Sequence, residues 1–509
     1  MPRTLLIFVF ILPLAVLMGF MLADPLMSSN MAFIGGVMLL LLLPIALAAH
    51  HTALIWVSGA YMSAFFLPGR PQMWMIMACF SFVISLVSRP LAKHKMKPLW
   101  PRSLAGSLIF LLIVVVVTGQ LTGGVGLQIL GSQNFGGRKY VWVLAAIAGF
   151  FALSSQTVPR ANANREVTAF CLSSVTAAVS NLVYMLGPSF YFLYLLFPVE
   201  LAVNQASADL GPVIGSLKRI SGFGPAAIGM GMFCLTRWGI RGLLDFGKPY
   251  RMLFFLIVVF GGLLSGFRST LTIIALVFAI QFFAEGLHRT RYATVFLITG
   301  ISVFVFLSLF ATSLPLAAQR AVSFLPVKVD PTAEVDAKGS IEWRMEMWRT
   351  IARDIPRYFW LGKGYVVDPG DLALADESVR RGYIESYEMF IKAGDYHSGP
   401  LSVIIPFGIW GVLGFIWFIY ASIQVLWGNM RYGDSQLTKI NTFLFSFFIG
   451  RFLFFLFFFG GMELELWLFC SIVGLSLSLN GGAKKAPEMP RLQFDSRLVR
   501  SREANLAHI

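Results

Sequence analysis

The chain has 509 residues, 57% of them hydrophobic and only 13% charged, with a mean hydropathy of +0.75. Soluble domains carry roughly a quarter charged residues, so a soluble globular protein is excluded and a polytopic α-helical membrane protein is indicated. The formal net charge of +15 is dispersed over short loops, where it works as a topology signal, and it does not point to nucleic acid.

Apolar runs long enough to cross ~30 Å of hydrocarbon recur along the chain. They lie near 4–22, 31–48, 52–67, 72–88, 103–119, 140–157, 167–187, 223–240, 252–266, 269–285, 294–314, 399–427, 439–459 and 464–480. The first reads as a transmembrane helix, because no small-residue cleavage site follows it. The expected fold is thus an all-α polytopic membrane protein with about 14 transmembrane helices (12–14) and one large helical extracytoplasmic loop. Its parts are N-terminal membrane helices (1–250), membrane helices with an Arg268 hairpin (251–314), the loop (315–398), C-terminal membrane helices (399–480) and a basic cytoplasmic tail (481–509).

Basic loops favour the cytoplasmic side, and alternation from a cytoplasmic N-terminus places nearly all of them there. The segment 89–102, with five Lys/Arg, falls inside, as do 158–166, 236–251, 288–291 and the tail. The exception is Lys218–Arg219, left outside between 187 and 222; it marks either a miscounted helix or basic side chains recruited to an anionic substrate. The apolar piece 190–202 is too short for a comfortable span and reads as a re-entrant or interfacial helix. Glycines in 221–234 read as close helix packing. The Phe-rich run 452–461 reads as lipid-facing and packing bulk. The four cysteines all lie in apolar runs, so neither a disulfide framework nor a thiolate metal site is implied.

The loop is the polar exception. It holds thirteen of the chain's 25 acidic residues and eleven of its 40 basic ones. The stretch 340–356 (SIEWRMEMWRTIARDIP) is predicted as a helix capped by Ser340 and stopped by Pro356, with Ile341, Met345, Trp348, Ala352 and Ile355 as its buried face. Arg344 shares a side with Trp348, four residues on, while Arg349, Arg353 and Arg357 form a solvated or phosphate-facing edge. Gly362 and Gly364 flank a lysine in a tight turn or a weak phosphate-binding signal. Segment 371–395 suggests one or two amphipathic helices, a possible lid. Ser398 caps the next span, with Pro400 in its first turn. His397 is thereby held at the outer mouth of a helix, where the dipole favours a neutral imidazole and a nearby anion. Arg268 lies at the outer turn of a hairpin, either snorkelling to headgroups or serving as a functional charge.

Several arginines with one outer histidine suit a diphosphate-linked substrate: arginine grips phosphate oxygens in pairs, and a neutral imidazole takes a hydroxyl proton. No Asp-x-Asp element stands on the outer face, so the arginines replace a metal as counter-charge. The order SGFRST (265–270), WRMEMWRTIARDIP (343–356), WLGKGY (360–365) and YHSGPLSVIIPFGIWG (396–411) resembles the O-antigen ligase/polymerase superfamily of membrane glycosyltransferases. Arg344, Trp348, Gly362, Gly364 and His397 match its pattern, while Ser398 replaces the usual asparagine, so the acceptor contact of that asparagine does not carry over.

The resemblance implies metal-independent transfer of a glycan from a polyprenyl-diphosphate carrier to a glycan, lipid or protein hydroxyl, without cofactor, at the outer face of the bacterial inner membrane. By resemblance Arg268 and Arg344 grip the diphosphate and His397 activates the acceptor. Arg219, Arg320, Trp348, Gly362, Gly364 and Ser398 are the expected substrate-binding residues. Polymerase is slightly preferred over ligase on span count. A transporter or flippase of lipid-linked sugars is the alternative, disfavoured because the charges gather at one face and no repeated halves are evident.

Overall fold

The computed structural model describes residues 47–486 apart from 66, 68, 92–97, 127–135 and 210–218, together with a few positions between 12 and 44. The expected spans 4–22 and 31–48 fall largely outside these residues, as do Lys218 and the tail beyond 486. Among the described residues all extended elements are helical, and one isolated bridge joins Ser63 to Gln72. Six helices among the described residues are long and apolar enough to cross a membrane: Arg102–Thr122, Arg160–Leu186, Tyr292–Ser313, Gly399–Tyr432, Ser435–Phe457 and Met462–Asn480. Shorter apolar helices at Leu47–Val57, Met73–Ser88, Tyr250–Leu263 and Arg268–Ala284 accompany them. The chain is a polytopic all-α membrane protein.

The core is built around Met462–Asn480, which packs on Gly137–Leu153, and around the pairs Arg268–Ala284 with Thr438–Phe457 and Gly399–Tyr432 with Arg102–Thr122. Fully buried Phe150, Phe418, Phe443, Phe448 and Phe469 fill it. The helix Tyr292–Phe310 is the opposite case. It is apolar all round and buries none of its residues, as expected of a surface facing lipid.

Three boundaries differ from expectation. The helix Leu47–Val57 runs straight through 49–51, where a loop was expected between two spans, and stops at Val57 instead of 67. It stops because Ser58 Oγ bonds back to Leu54 O, while Ser58 O accepts from Trp467 Nε1 at 2.7 Å. The run 167–187 stays helical, but its α-ladder is interrupted by a 3₁₀ turn at Ser173–Thr176, whose hydroxyls bond back to the carbonyls of Phe170, Cys171 and Ser173. Such back-bonding competes with the regular ladder. Against this break Gly229 packs so closely that a Cβ would overlap Ser174 Oγ, in line with the small-residue packing expected there. Finally, the segment 188–209 forms a 3₁₀ piece, Pro188–Leu195, and a helix, Glu200–Asp209.

In the loop, the main helix begins at Pro331, not near Ser340. Asp330 caps it by accepting from Thr332 N, and proline takes the first position. The buried stripe is also different: Ala333, Ala337, Met347 and Ile351 face inward, whereas Ile341 and Met345 are exposed. The apolar count misled because small alanines, not the larger side chains, allow the close approach. Arg344, seven residues from both Ala337 and Ile351, therefore lies along the inward stripe. Two short helices follow, Pro369–Arg380 and Ser386–Lys392.

The loop is fastened to the membrane helices at a break. Within Gly399–Tyr432, Pro406 and non-helical Gly408 interrupt the ladder. The turn segment 359–364 satisfies the freed groups: Lys363 N donates to Ile405 O at 2.7 Å, Gly364 N to Pro406 O at 2.9 Å, and Ile409 N to Phe359 O at 2.7 Å. Gly362 adopts φ +76°, and a Cβ there would meet Pro406 O at 2.1 Å. A left-handed alanine costs about 1–2 kcal/mol before any clash. Gly362→Ala is expected to lower the melting temperature in detergent and to open the 359–364 segment to protease, as thermal unfolding and limited proteolysis would report.

Candidate functional site

Four arginines from four elements converge on one end of the loop helix Pro331–Ala352. Arg219 precedes the helix Phe223–Leu243, Arg268 is the first residue of Arg268–Ala284, Arg320 lies in the short helix Leu316–Val322, and Arg344 belongs to the loop helix itself. Arg219 Nη2 donates to both oxygens of Asp336 at 3.0 and 3.1 Å, and Arg320 Nε donates to Asp336 Oδ2. Arg320 Nη1 also donates to Gly266 O at 2.6 Å, and Arg268 Nη2 to Ala337 O at 2.8 Å. Gly266 has φ +69°, and the Arg219 side chain occupies the space a Cβ would need. The SGF turn is thus the floor on which three of the guanidiniums meet.

The charges do not cancel. Arg268 lies within electrostatic reach of Arg320, Arg344 and Asp336, and Arg344 within reach of Arg320. Asp336 is the one carboxylate paired with this group among the described residues. Arg219 and Arg320 are already engaged by it. Arg268 and Arg344 have no carboxylate partner among the described residues and remain open to an anion.

Arg344 leads to the histidine. Its guanidinium sits over the Phe459 ring at 5.7 Å, and the His397 imidazole stacks on the same ring at 5.1 Å and 25°. Trp343 and Phe390 complete an aromatic surround, each 5.4 Å from the imidazole. His397 adopts φ +47°, which a non-glycine residue reaches only where its surroundings hold it. Trp348 Nε1, donating to Tyr396 O at 3.0 Å, is one such hold. His397 Nδ1 is buried with no hydrogen-bond partner among the described residues, and Asp395 Oδ1 stands 3.5 Å away, an electrostatic neighbour rather than a formed bond. Burial pushes the imidazole below its ordinary pKa; Asp395 opposes the shift, and Arg344 and Lys139 add to it. The imidazole is therefore neutral at physiological pH and able to accept a proton.

Of the expected site residues, the structure brings Arg219, Arg268, Arg320, Arg344 and His397 together through Asp336 and Phe459. Trp348, Gly362 and Gly364 have structural contacts: the first ties the loop helix to Tyr396, Gly362 sits against the broken helix, and Gly364 sits against Thr122 and Tyr140. Ser398 is the N-cap residue by position, but its hydroxyl makes no capping bond. Among the described residues no group of three His, Cys, Asp or Glu side chains is placed to hold a metal ion. Phe459 was not foreseen, since it lies in the Phe-rich run that reads as packing bulk. Part of that run does pack, with Phe454 and Phe455 buried. Asp336 was hidden among many solvated acids. Lys139, at the mouth of a span, carried a signal that span-counting passed over.

Residues 253–416 match the family model described as O-Antigen ligase. The chain carries a domain of the O-antigen ligase superfamily. Neither the comparison with curated proteins nor that with solved structures gives a match. Arg268, Arg320, Arg344 and His397 all fall inside the O-antigen ligase domain, whereas Arg219, Lys139 and Phe459 reach the site from outside it.

The sign of one pH effect follows from the neighbours of His397. Asp395 is the group that favours its protonated form, so Asp395→Asn should lower the imidazole pKa further. The acid limb of the activity profile is then expected to move to lower pH. An unmoved limb would mean that another group titrates there.

Proposed function

We propose that the chain transfers a glycan from a polyprenyl-diphosphate carrier to a hydroxyl acceptor in cell-surface polysaccharide assembly, as a multi-pass protein of the inner membrane with the 315–398 loop outside. The observation that carries this reading is the pairing of two unneutralised guanidiniums, Arg268 and Arg344, with a neutral imidazole that shares the Phe459 ring with Arg344. The O-antigen ligase domain supports the reaction class. In the step proposed, His397 Nε2 takes the proton of the acceptor hydroxyl as its oxygen bonds the anomeric carbon. The bond from that carbon to the diphosphate oxygen breaks, and the departing diphosphate carries its charge onto the arginines. Guanidiniums supply the counter-charge, so the reading includes no metal. Polymerisation is placed before ligation only on the fourteen apolar runs read from the sequence.

Reporter fusions at Asp336 and Ala483 are expected to give opposite signals; signals from one side would sink the outer placement of the loop. Lysine in place of Arg268 or Arg344 keeps charge but loses the planar fork. Losing one charge-assisted bond of about 1.5–3 kcal/mol made in the transition state costs roughly ten- to hundred-fold in rate. His397→Ala should insert and bind donor normally yet lose about 100- to 10,000-fold in transfer. Retained activity in His397→Gln would leave the histidine only an acceptor-positioning role. A deletion strain separates the two reactions: single lipid-linked repeats accumulate if a polymerase is lost, carrier-linked chains if a ligase is lost.

A further inference from the structure

Lys139 opens the helix Gly137–Leu153, far in sequence from the O-antigen ligase domain. Its ammonium donates to Gly394 O at 2.6 Å and to Ala393 O at 3.2 Å, lies 3.6 Å from Glu463 Oε1, and sits 5.6 Å over the Tyr365 ring. An ammonium has three donors and no acceptor; here two carbonyls accept from it, and the Glu463 carboxylate is its ion-pair partner. Both carbonyls belong to the turn that leads into His397.

That turn holds two left-handed residues, Gly394 at φ +69° and His397 at φ +47°. Such a conformation persists only when the surroundings over-determine it. Trp348 fixes Tyr396 from the loop side, and Lys139 fixes 393–394 from the membrane side. Glu463 sits in the first turn of Met462–Asn480, directly after the hairpin that presents Phe459. One ammonium thus ties the histidine's turn to the hairpin whose ring the imidazole stacks on.

We propose that Lys139 is a positioning residue for glycan transfer, fastening the 393–397 turn to the last membrane hairpin so that the His397 imidazole is held on Phe459. This rests on the reading of His397 as the proton acceptor. The charged groups facing His397 are Asp395 from its own turn, Arg344 from the loop helix and Lys139 from the membrane bundle.

The test compares Lys139→Met, Lys139→Arg and the double variant Lys139→Met/Glu463→Gln in the full-length protein, with kcat, donor KM, pH profile and melting temperature in detergent. The methionine variant should lose about ten- to a hundred-fold in kcat, the usual cost of a misplaced reacting group, with donor KM little changed. Its acid limb should move to higher pH, because one of two cations opposing protonation of His397 has gone. Arginine should restore most of the rate. The double variant leaves no unpaired carboxylate, so it should melt near the native temperature and keep the kcat defect. A double variant with native kcat overturns the proposal, as does a rate loss that tracks melting temperature with an unshifted limb. If His397→Ala is active, the underlying reading falls and the positioning role with it. If His397→Ala is inactive and Lys139→Met is native-like, only the positioning role falls.

Discussion

The site depends on one carboxylate. Asp336 joins Arg219 and Arg320, and through them holds the N-terminal half of the loop helix against the SGF turn. The pairs are largely buried, and breaking a buried pair from one side costs about 3–5 kcal/mol because the remaining charge is stranded. Two turns along the same helix lies Arg344, so the anchor fixes where the free guanidinium points. Without it three cations would face each other across the turn and drive the helix away. The carboxylate is the reason that the guanidiniums can be gathered there at all.

What is left over is positive charge partly shielded from water, which is a costly arrangement for a folded protein and leaves two guanidiniums open to an anion. Phe459 lets Arg344 and His397 stay close without a hydrogen bond between them. A ring face attracts a cation electrostatically, so the guanidinium is held there, while the imidazole stacks on the same ring in its neutral form. The imidazole and the guanidinium therefore share a support without sharing a proton.

Much of this was legible in the sequence. Arg268 stood out as a charge between two apolar runs, Arg344 by its place four residues before Trp348 in the pattern that resembles the family, and His397 because it alone fell outside on the count. The helix around Arg344 was also readable, though its start was not. Ser340 and the large apolar side chains drew attention from Asp330–Pro331 and from the alanines that make the buried stripe. Asp336, Lys139 and Phe459 were not readable, since each owes its role to partners in other elements of the fold. Local pattern carries the period of a helix and the cost of a charge. It does not carry which acid among many finds an arginine, nor which phenylalanine in a run of six turns inward.

The broken helix Gly399–Tyr432 has a consequence for how the chain is made. Its unpaired carbonyls at Ile405 and Pro406 are answered by residues 363 and 364, which leave the ribosome some forty residues before the break they complete. The repair is in place when the damaged helix arrives. The backbone repair of that helix then draws on no later part of the chain, even though its packing does.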